Sequence, residues 1–373
     1  MKKTICLNMI VRNESPVIKR CLASVKPIID YWIIIDTGSN DGTQDIIREF
    51  MKDVPGELHE YPWVDFAHNR NQALALSKGK GDYLLFIDAD EQLIFQDSFQ
   101  LSSVNKDFYF FPIKQPSGIN YFRECLIKSN LDWKWIGPVH ETIVSPQSKT
   151  YDVLEGVVNL SNTEDGNRSR DPQKYLKDAA VLEKALLEEP ENSRYVFYLA
   201  LSYGNAHEYR RALKWHEKRV TMGDSEQEIY YSLLTIGKIH ENLGSDFNTV
   251  VNSYTKAYLY RPSRGESLYY LANYYLRSEN YVLVYLLAKL GLSLSMPSDI
   301  IFVQHNIYDT GFYMQLADSS YKLGKYEDAL TAYEKLLKSP RISAELKTKL
   351  QKNKEHVEAL LFHQLEQKKI KHA

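Results

Sequence analysis

At 373 residues the chain is long for one core and sufficient for two domains. Its 46 basic and 48 acidic side chains leave a formal charge of -2, so no global basic signature of a nucleic-acid binder exists and any anion must be recognised locally. Three cysteines, Cys6, Cys21 and Cys125, fall at no metal-ligand spacing and are too few for a disulfide framework, which fits a reducing, cytoplasmic compartment. The opening MKKTICLNMIVRNES resembles a secretion signal until Asn8 interrupts the apolar run and Arg12, Asn13 and Glu14 end it. No stretch reaches the roughly 18 to 20 apolar residues of a membrane span. A soluble protein is expected, with peripheral membrane attachment left open.

In chain order, residues 4–11, 32–37, 57–61 and 83–89 read as short apolar strands, and residues 16–25, 43–51 and 66–77 between them carry helical spacing. That rhythm predicts a mostly parallel sheet with helices on its faces, whose ligands bind beyond the carboxyl ends of the strands. The polar clusters sit at those ends: Arg12, Asn13 and Glu14 after the first strand, DTGSNDGT after the second, and DADE after the fourth. Residues 108–160 add strand candidates FYFFPI, YFRECLIK and YDVLEGVVNL, expected at a mixed sheet edge.

From about Pro172 the chain turns helical, with a recurring layout of Leu-Ala, an aromatic, a turn, Tyr and a second helix at 199–213, 271–286 and 316–330. Pro190 and Pro262 are 72 residues apart, twice 36, and Pro262 and Pro297 are 35 apart. That period is close to the roughly 34 residues of a tetratricopeptide unit, which this half resembles. The charged segment 343–371 is expected to cap the stack. The division predicted is 1–165 for the sheet domain and 166–373 for the repeats.

In the acidic cluster, neighbouring strand side chains point to opposite faces, so Asp88 and Asp90 address one ion only if the backbone turns at Ala89. Such hard oxygens suit Mg2+ or Mn2+ completed by phosphates and water. A solvated loop is the bland alternative. Upstream, Arg70 and Asn71 are placed near a helix start, where an arginine meets phosphate.

Four segments in order, MIVRNES, IIIDTGSNDGT, FAHNRNQAL and LLFIDADE, resemble the family 2 glycosyltransferases, whose nucleotide-sugar domain has the Rossmann-like GT-A fold. With a helical tail, the chain resembles the members that carry tetratricopeptide repeats. The resemblance implies an α/β GT-A-type domain followed by an all-α repeat domain. It implies an inverting, metal-dependent hexosyltransferase that uses a UDP-sugar and a hydroxyl or thiol acceptor on a peptide, protein or glycan. It assigns Asp36 to the nucleoside, beside Thr37 where many relatives have a second acid. Asn13 and Glu14 would wall the nucleoside site, Arg70 would face phosphate, and Asp88 and Asp90 would form the metal motif, with Asp90 as direct ligand. Asp41 and Thr43 read as turn and cap residues.

In DWKWIGPVHETI, the resemblance extends to Trp135, Gly137, His140 and Glu141. Glu141 is the first candidate for the base that deprotonates the acceptor, and His140 for a metal or diphosphate contact, with the two roles open to exchange. Relatives often end the last strand in His-x-Gly; here NLSNTEDG places Ser161 and Asn162 there, which shifts that task towards His140. Trp133 and Trp135 either stack on sugar or pack. The repeats could bind acceptor, for example through Tyr230, Tyr231, Tyr269, Tyr270, Tyr274 and Tyr275, or support a homodimer. The rival reading is a nucleotide-binding scaffold with a degenerate transferase domain. A nucleotidyltransferase would carry a Gly-rich loop where VRNESP stands.

Overall fold

The computed structural model describes residues 3–101, 104–116, 119–161 and 165–372. The chain divides into two compact units, Met1–Trp215 and His216–Ala373. In the first, β1 (Ile5–Val11), α1 (Ile18–Val25), β2 (Tyr31–Asp36), α2 (Thr43–Phe50), β3 (Gly56–Glu60), α3 (Phe66–Leu76) and β4 (Tyr83–Phe86) follow the expected alternation. β1 pairs in parallel with β2 and β4, and β2 with β3, in the order β3-β2-β1-β4. The chain crosses from one side of β1 to the other between β3 and β4, and the carboxyl ends of β1, β2 and β4 meet at that switch point, where α/β sheets bind ligands.

Alternation along β1 explains why it is buried at every position but Ile10. Ile5, Leu7, Met9 and Val11 pack with Ile18, Leu22 and Val25 of α1 and Ile47 of α2. Cys6 faces the other side with Ile33, Leu84, Phe86 and Leu74 of α3. Both faces are covered, as a parallel sheet requires. Asn8, which broke the apolar run, donates its amide to Ser77 Oγ at 2.6 Å and so joins the strand to the end of α3.

The acidic strand is shorter than expected. β4 stops at Phe86, and Glu91 begins a new strand, β5 (Glu91–Phe95), so residues 87–90 are a turn between strands. The later strands also depart from the expected edge position: β6 (Phe108–Lys114) and β7 (Ile119–Lys128) lie within the sheet, which continues from β4 through β7, β6 and β11 (Val157–Ser161) to β5. The β4–β7, β6–β7 and β5–β11 pairings are antiparallel, while β11 runs parallel to β6, as does β10 (Tyr151–Val153). Periodicity marked these strands but carries no information on partner order. β8 (Lys134–Ile136) and β9 (Thr142–Val144) form a separate hairpin. α4 (Lys174–Glu188) and α5 (Ser193–Asn205) follow, and α6 (Tyr209–Val220) spans the division between the units.

The second unit contains the helices α7 (Glu226–Asn242), α8 (Phe247–Tyr260), α9 (Glu266–Arg277), α10 (Tyr281–Leu292), α11 (Phe312–Lys322) and α12 (Tyr326–Lys338). Their turns fall where the repeat layout placed them, with Pro262 and Pro340 two residues beyond α8 and α12. α13 (Ala344–His372) buries Leu350 and Val357 with Tyr333 and Leu336 of α12, consistent with a cap. Of the tyrosines, Tyr230 is fully buried between helices, while Tyr270, Tyr274 and Tyr275 pack at the margin of that core. A charged cluster absent from the sequence reading holds the α10–α11 loop. Fully buried Arg264 donates to Glu266 and Asp299 and to the carbonyls of Ile301 and Phe302.

Candidate active site at the carboxyl ends of β1, β2 and β4

The loops after β1 and β2 are stitched by hydrogen bonds. Asn13, with φ 56°, donates its N–H to Ser39 Oγ at 2.8 Å, and its Oδ1 accepts from Asn40 N at 2.8 Å. The N–H groups of Glu14 and Ser15 donate to Thr43 Oγ1 at 2.9 Å and Asp41 Oδ2 at 3.0 Å, while Asp41 also accepts from Thr43 N. Asp41 and Thr43 therefore organise the turn. Thr37 donates its N–H and hydroxyl to Val11 O, so its side chain closes the β1–β2 junction and is committed there.

Asp36 is fully buried. Its Oδ1 accepts from the N–H groups of Gly38 at 2.9 Å and Ser39 at 2.7 Å, but Oδ2 has no hydrogen-bond partner. Among the described residues this buried acceptor is unmet, which is costly, and it could accept a donor from outside the chain.

In the acidic turn, charge alternates along a chain of contacts. Glu141 Oε1 accepts from Arg70 Nε at 2.5 Å, and Arg70 Nη2 donates to Asp88 Oδ1 at 2.6 Å. Asp88 Oδ2 accepts from Arg123 Nη1 at 2.8 Å, and Arg123 also donates to Glu91. Glu91 accepts from the Asp88 N–H at 3.1 Å and from Asn159 Nδ2 at 2.8 Å. Burial pushes Asp88 up, but Arg123 and Arg70 outweigh it and hold the carboxyl well below its ordinary range. Glu91, first in β5 and 2% exposed, supports the turn.

Arg70 is not at the helix start. α3 begins at Phe66, with Asp65 accepting from His68 N at 2.7 Å, which puts Arg70 a turn further in. Its guanidinium is 9% exposed and occupied by two carboxylates, and it lies 5.0 Å over Trp135. The phosphate-facing position expected of it is thus taken up by protein partners. Asn71 exchanges two 2.9 Å hydrogen bonds with the backbone of Trp135, fixing β8 on α3. Trp135 is 5% exposed and packs edge-on to Phe86, and Trp133 donates to Lys128 O and meets Phe108; both rings are packing residues.

Asp90 differs from Asp88. Its backbone carbonyl accepts from Arg20 at 2.9 Å, but its half-buried carboxylate has no cation at ion-pair distance among the described residues. Burial, reinforced by Asp88, Glu91 and Glu14, pushes its pKa up to about 7. Glu14, on the same crevice, is pushed up to about 7 by burial, opposed by the Asn167 N–H and reinforced by Asp41. This concentration of acid suits a divalent cation, with Asp90 as the available oxygen ligand. Among the described residues no three of His, Cys, Asp and Glu are placed to share one ion, so Asp88, Asp90 and His140 are not a preassembled ligand set. A hard cation would draw its other ligands from substrate oxygens and water.

His140 projects from the β8–β9 turn with φ 51°. Its ring is accessible to solvent and stacks on Tyr198 of α5 with centroids 4.2 Å apart and planes at 8°. Desolvation by the surfaces packed around the ring, then the nearby Arg168, Arg194 and Lys174, push the imidazole below its ordinary range although the residue keeps an exposed edge. Three neighbouring cations oppose a further metal cation there, which disfavours the metal-ligand role expected for His140. Ser161 ends β11 opposite Glu91, and Asn162 lies outside the described residues.

Sequence reasoning missed Arg123, Asn159 and Arg20, and it placed Asn71 near the helix start without its partner, the Trp135 backbone. Arg123 left a signal, a charge inside the apolar run YFRECLIK. Its partner could not be read without strand order.

The first unit is thus an α/β domain with an acid turn at its switch point and stitched loops after β1 and β2, and helical hairpins follow it. Residues 6–98 match the model of the family Glycosyl transferase family 2, so the N-terminal part of the chain carries a domain of that family. A TPR repeat-containing protein of Synechococcus elongatus is 27% identical over 269 residues, covering 68% of this chain and 65% of that protein. The SPbeta prophage-derived glycosyltransferase SunS of Bacillus subtilis is 29% identical over 209 residues, covering 52% and 48%. The chain thus spans less than two thirds of the length of these relatives. Among solved structures, S. aureus TarS 1-349 in complex with UDP-GlcNAc aligns at TM-score 0.38 and 11% identity, covering 69% of this chain and 91% of that one. No helix among the described residues is long and apolar enough to cross a membrane.

Proposed function

We propose that this protein is a cytoplasmic, inverting glycosyltransferase that moves a hexose from a UDP-sugar to a hydroxyl or thiol of a peptide, protein or glycan, with Mg2+ or Mn2+ at Asp90. Residues 1–165 form its catalytic domain and residues 166–373 its repeat domain, which takes up the acceptor. The observation that carries this reading is Asp90, an uncompensated carboxylate among Asp88, Glu91 and Glu14 at the end of β4, within the family 2 match.

Each residue then has a task. Asp36 Oδ2 accepts from the uracil or ribose, and Asn13 and Glu14 wall the nucleoside. A divalent ion held by Asp90 would supply Lewis-acid stabilisation of the departing diphosphate. Glu141, held by Arg70 through Oε1, takes the acceptor proton as the acceptor oxygen or sulfur bonds to the anomeric carbon and the bond to UDP breaks. His140 is the poorer base, because protonating it places a fourth positive charge beside Arg168, Arg194 and Lys174. The engagement of Glu141 by Arg70 favours one second reading, a scaffold that binds nucleotide without turnover.

The test is UDP release from UDP-Glc, UDP-GlcNAc, UDP-Gal and UDP-GalNAc in the presence of Mn2+. One donor is expected to be hydrolysed, with activity removed by chelator and by Asp90→Ala. Near-normal turnover in Asp90→Ala would sink the assignment, and UDP binding without release from any donor would select the scaffold.

A further inference from the structure

The connector after β11 is bound to the crevice. Arg20 donates to both oxygens of Asp165, at 2.7 and 3.2 Å, as well as to Asp90 O. The Asn167 N–H donates to the Glu14 carboxylate at 3.2 and 3.3 Å. Gly166, between them, lies so close to Asp90 that a Cβ added there would stand 2.5 Å from its Oδ2. The segment therefore enters the site with no side chain to spare, and the next residues are delivered beside it.

Those residues are basic. Arg168 lies 4.7 Å over Phe66, the first residue of the helix that carries Arg70, and pairs with Asp178 of α4. Lys174 is the first residue of α4, whose first turn contains no acid. A lysine there opposes the helix dipole. It forms no ion pair among the described residues, and Asp178 and Asp90 reach it only at longer range. From α5, Arg194 donates to His140 O at 3.0 Å and lies 4.8 Å over Tyr198, the ring on which His140 stacks. Three cations thus border the accessible His140, and Asp178, the buried acid among them, already holds Arg168. The local excess is positive, and it adjoins the acid crevice at Asp90.

We propose that Lys174, with Arg168 and His140, forms a phosphate-binding pocket contributed by the connector and first helix of the helical half, and that its occupant is the diphosphate of the nucleotide donor. This rests on the donor reading above and adds to it: the sheet domain supplies the acid for the cation, and the helical half supplies the base for the phosphates. Arg194 and Tyr198 hold His140 in place. Asp178 holds Arg168, whereas Lys174 lies 5.3 Å over the Tyr175 ring and has no ion-pair partner among the described residues, which leaves its charge available. The structural alternative is that Lys174 serves only as a solvated partner of Asp178 one helical turn away, a pairing that contributes little.

Calorimetric titration of the full chain with UDP, uridine and inorganic pyrophosphate, each with Mn2+, separates these roles. Lys174→Gln is expected to weaken UDP and pyrophosphate about tenfold, while uridine is unchanged and Lys174→Arg restores most of the loss. Unchanged UDP affinity in Lys174→Gln overturns the pocket and leaves the donor reading intact. Equal weakening of UDP and uridine also overturns it, since the effect is then not on phosphate. Wild-type protein that binds pyrophosphate but not UDP overturns the donor as the source. Thermal denaturation of both variants shows that the fold is retained.

Discussion

Two charged clusters, one in each unit, use the same residue types to opposite ends. Around Arg264, every charge meets a partner: Glu266 accepts from Arg264, Tyr308 and Tyr230, and Asp299 accepts from Arg264 and Arg261. Arg264 and Glu266 are wholly withdrawn from solvent. Around Asp88 the ladder from Glu141 to Asn159 is equally continuous, yet at the same strand ends two acids lack completion among the described residues, Asp36 at Oδ2 and Asp90. A closed cluster fixes a loop. An open one leaves free energy available for a ligand. Burial and ion pairing alone do not distinguish structure from function; the unmet atom does.

The largest expected effect follows from breaking the closed cluster. Arg264→Met leaves Glu266 buried with only hydroxyl and amide partners, and such losses destabilise by about 3–5 kcal/mol. Denaturant unfolding should show it, and adding Glu266→Gln should recover part of the loss. A stability change below ~1 kcal/mol would mean that the Arg264 cluster is as open to water as the crevice.

The opposite is expected of Asp90→Asn. It should cost at least about 100-fold in metal-dependent turnover, the scale of losing several kcal/mol of charge stabilisation, with no loss of stability. The sign follows from the raised pKa: an acid pushed up on folding disfavours the folded state once pH exceeds its unfolded value, increasingly up to about 7. In chelator, Asp90→Asn should therefore match wild type in acid and equal or exceed its melting temperature above about pH 7. A variant less stable than wild type at every pH would place Asp90 in a structural role.

How much of this was legible depends on range. The first four strands and three helices follow from local periodicity, and Asp36, Asp88 and Asp90 follow from their positions at strand ends. Neither Asp41 nor Thr43 caps α2, whose N-cap is Gly42, and their bonds to the Ser15 and Glu14 N–H groups across the loops were not legible, but both read correctly as turn residues because they bond each other two residues apart. Arg123 did not, since its partners Asp88 and Glu91 are 35 and 32 residues distant and meet it only because β7 lies beside β4. Arg70 was legible as a functional type but not in its state: sequence cannot show that two carboxylates already share its guanidinium. Arg168 and Lys174 escaped notice because they lie past the end of the sheet, in a stretch read as the start of the repeats.

Gly166 sharpens the boundary between the open cluster and the connector that covers it. Gly166→Ala introduces a methyl group against Asp90 Oδ2, and either the carboxylate rotates or the connector lifts. Metal-dependent UDP affinity should fall about tenfold, comparable with disturbing the support of a metal ligand, while uridine binding and melting temperature stay near wild type. Retained UDP affinity would mean that the connector moves aside freely.

A third cluster gives the smallest effect, and it isolates what closure is worth without burial. Glu57 accepts from Lys80 at 2.7 Å and Tyr31 at 2.7 Å, with His59 at 2.9 Å, so its partners are complete. Its side chain is nevertheless 33% exposed. Hydrogen bonding from Lys80, then Tyr31 and His59, lowers its pKa from 4.5 to about 2. A carboxyl depressed on folding stabilises the folded state above its unfolded pKa and loses that contribution as pH falls through its folded one. Glu57→Gln should therefore cost ~1 kcal/mol or less near neutral pH, because solvent screens the pair, and the difference from wild type should shrink between about pH 4.5 and about 2. Added salt should shrink it too, whereas the Arg264 variants should be insensitive to salt. If Glu57→Gln instead cost as much as Arg264→Met, complete pairing and not burial would set the energetic scale, and the contrast between the two units would rest on partner count alone.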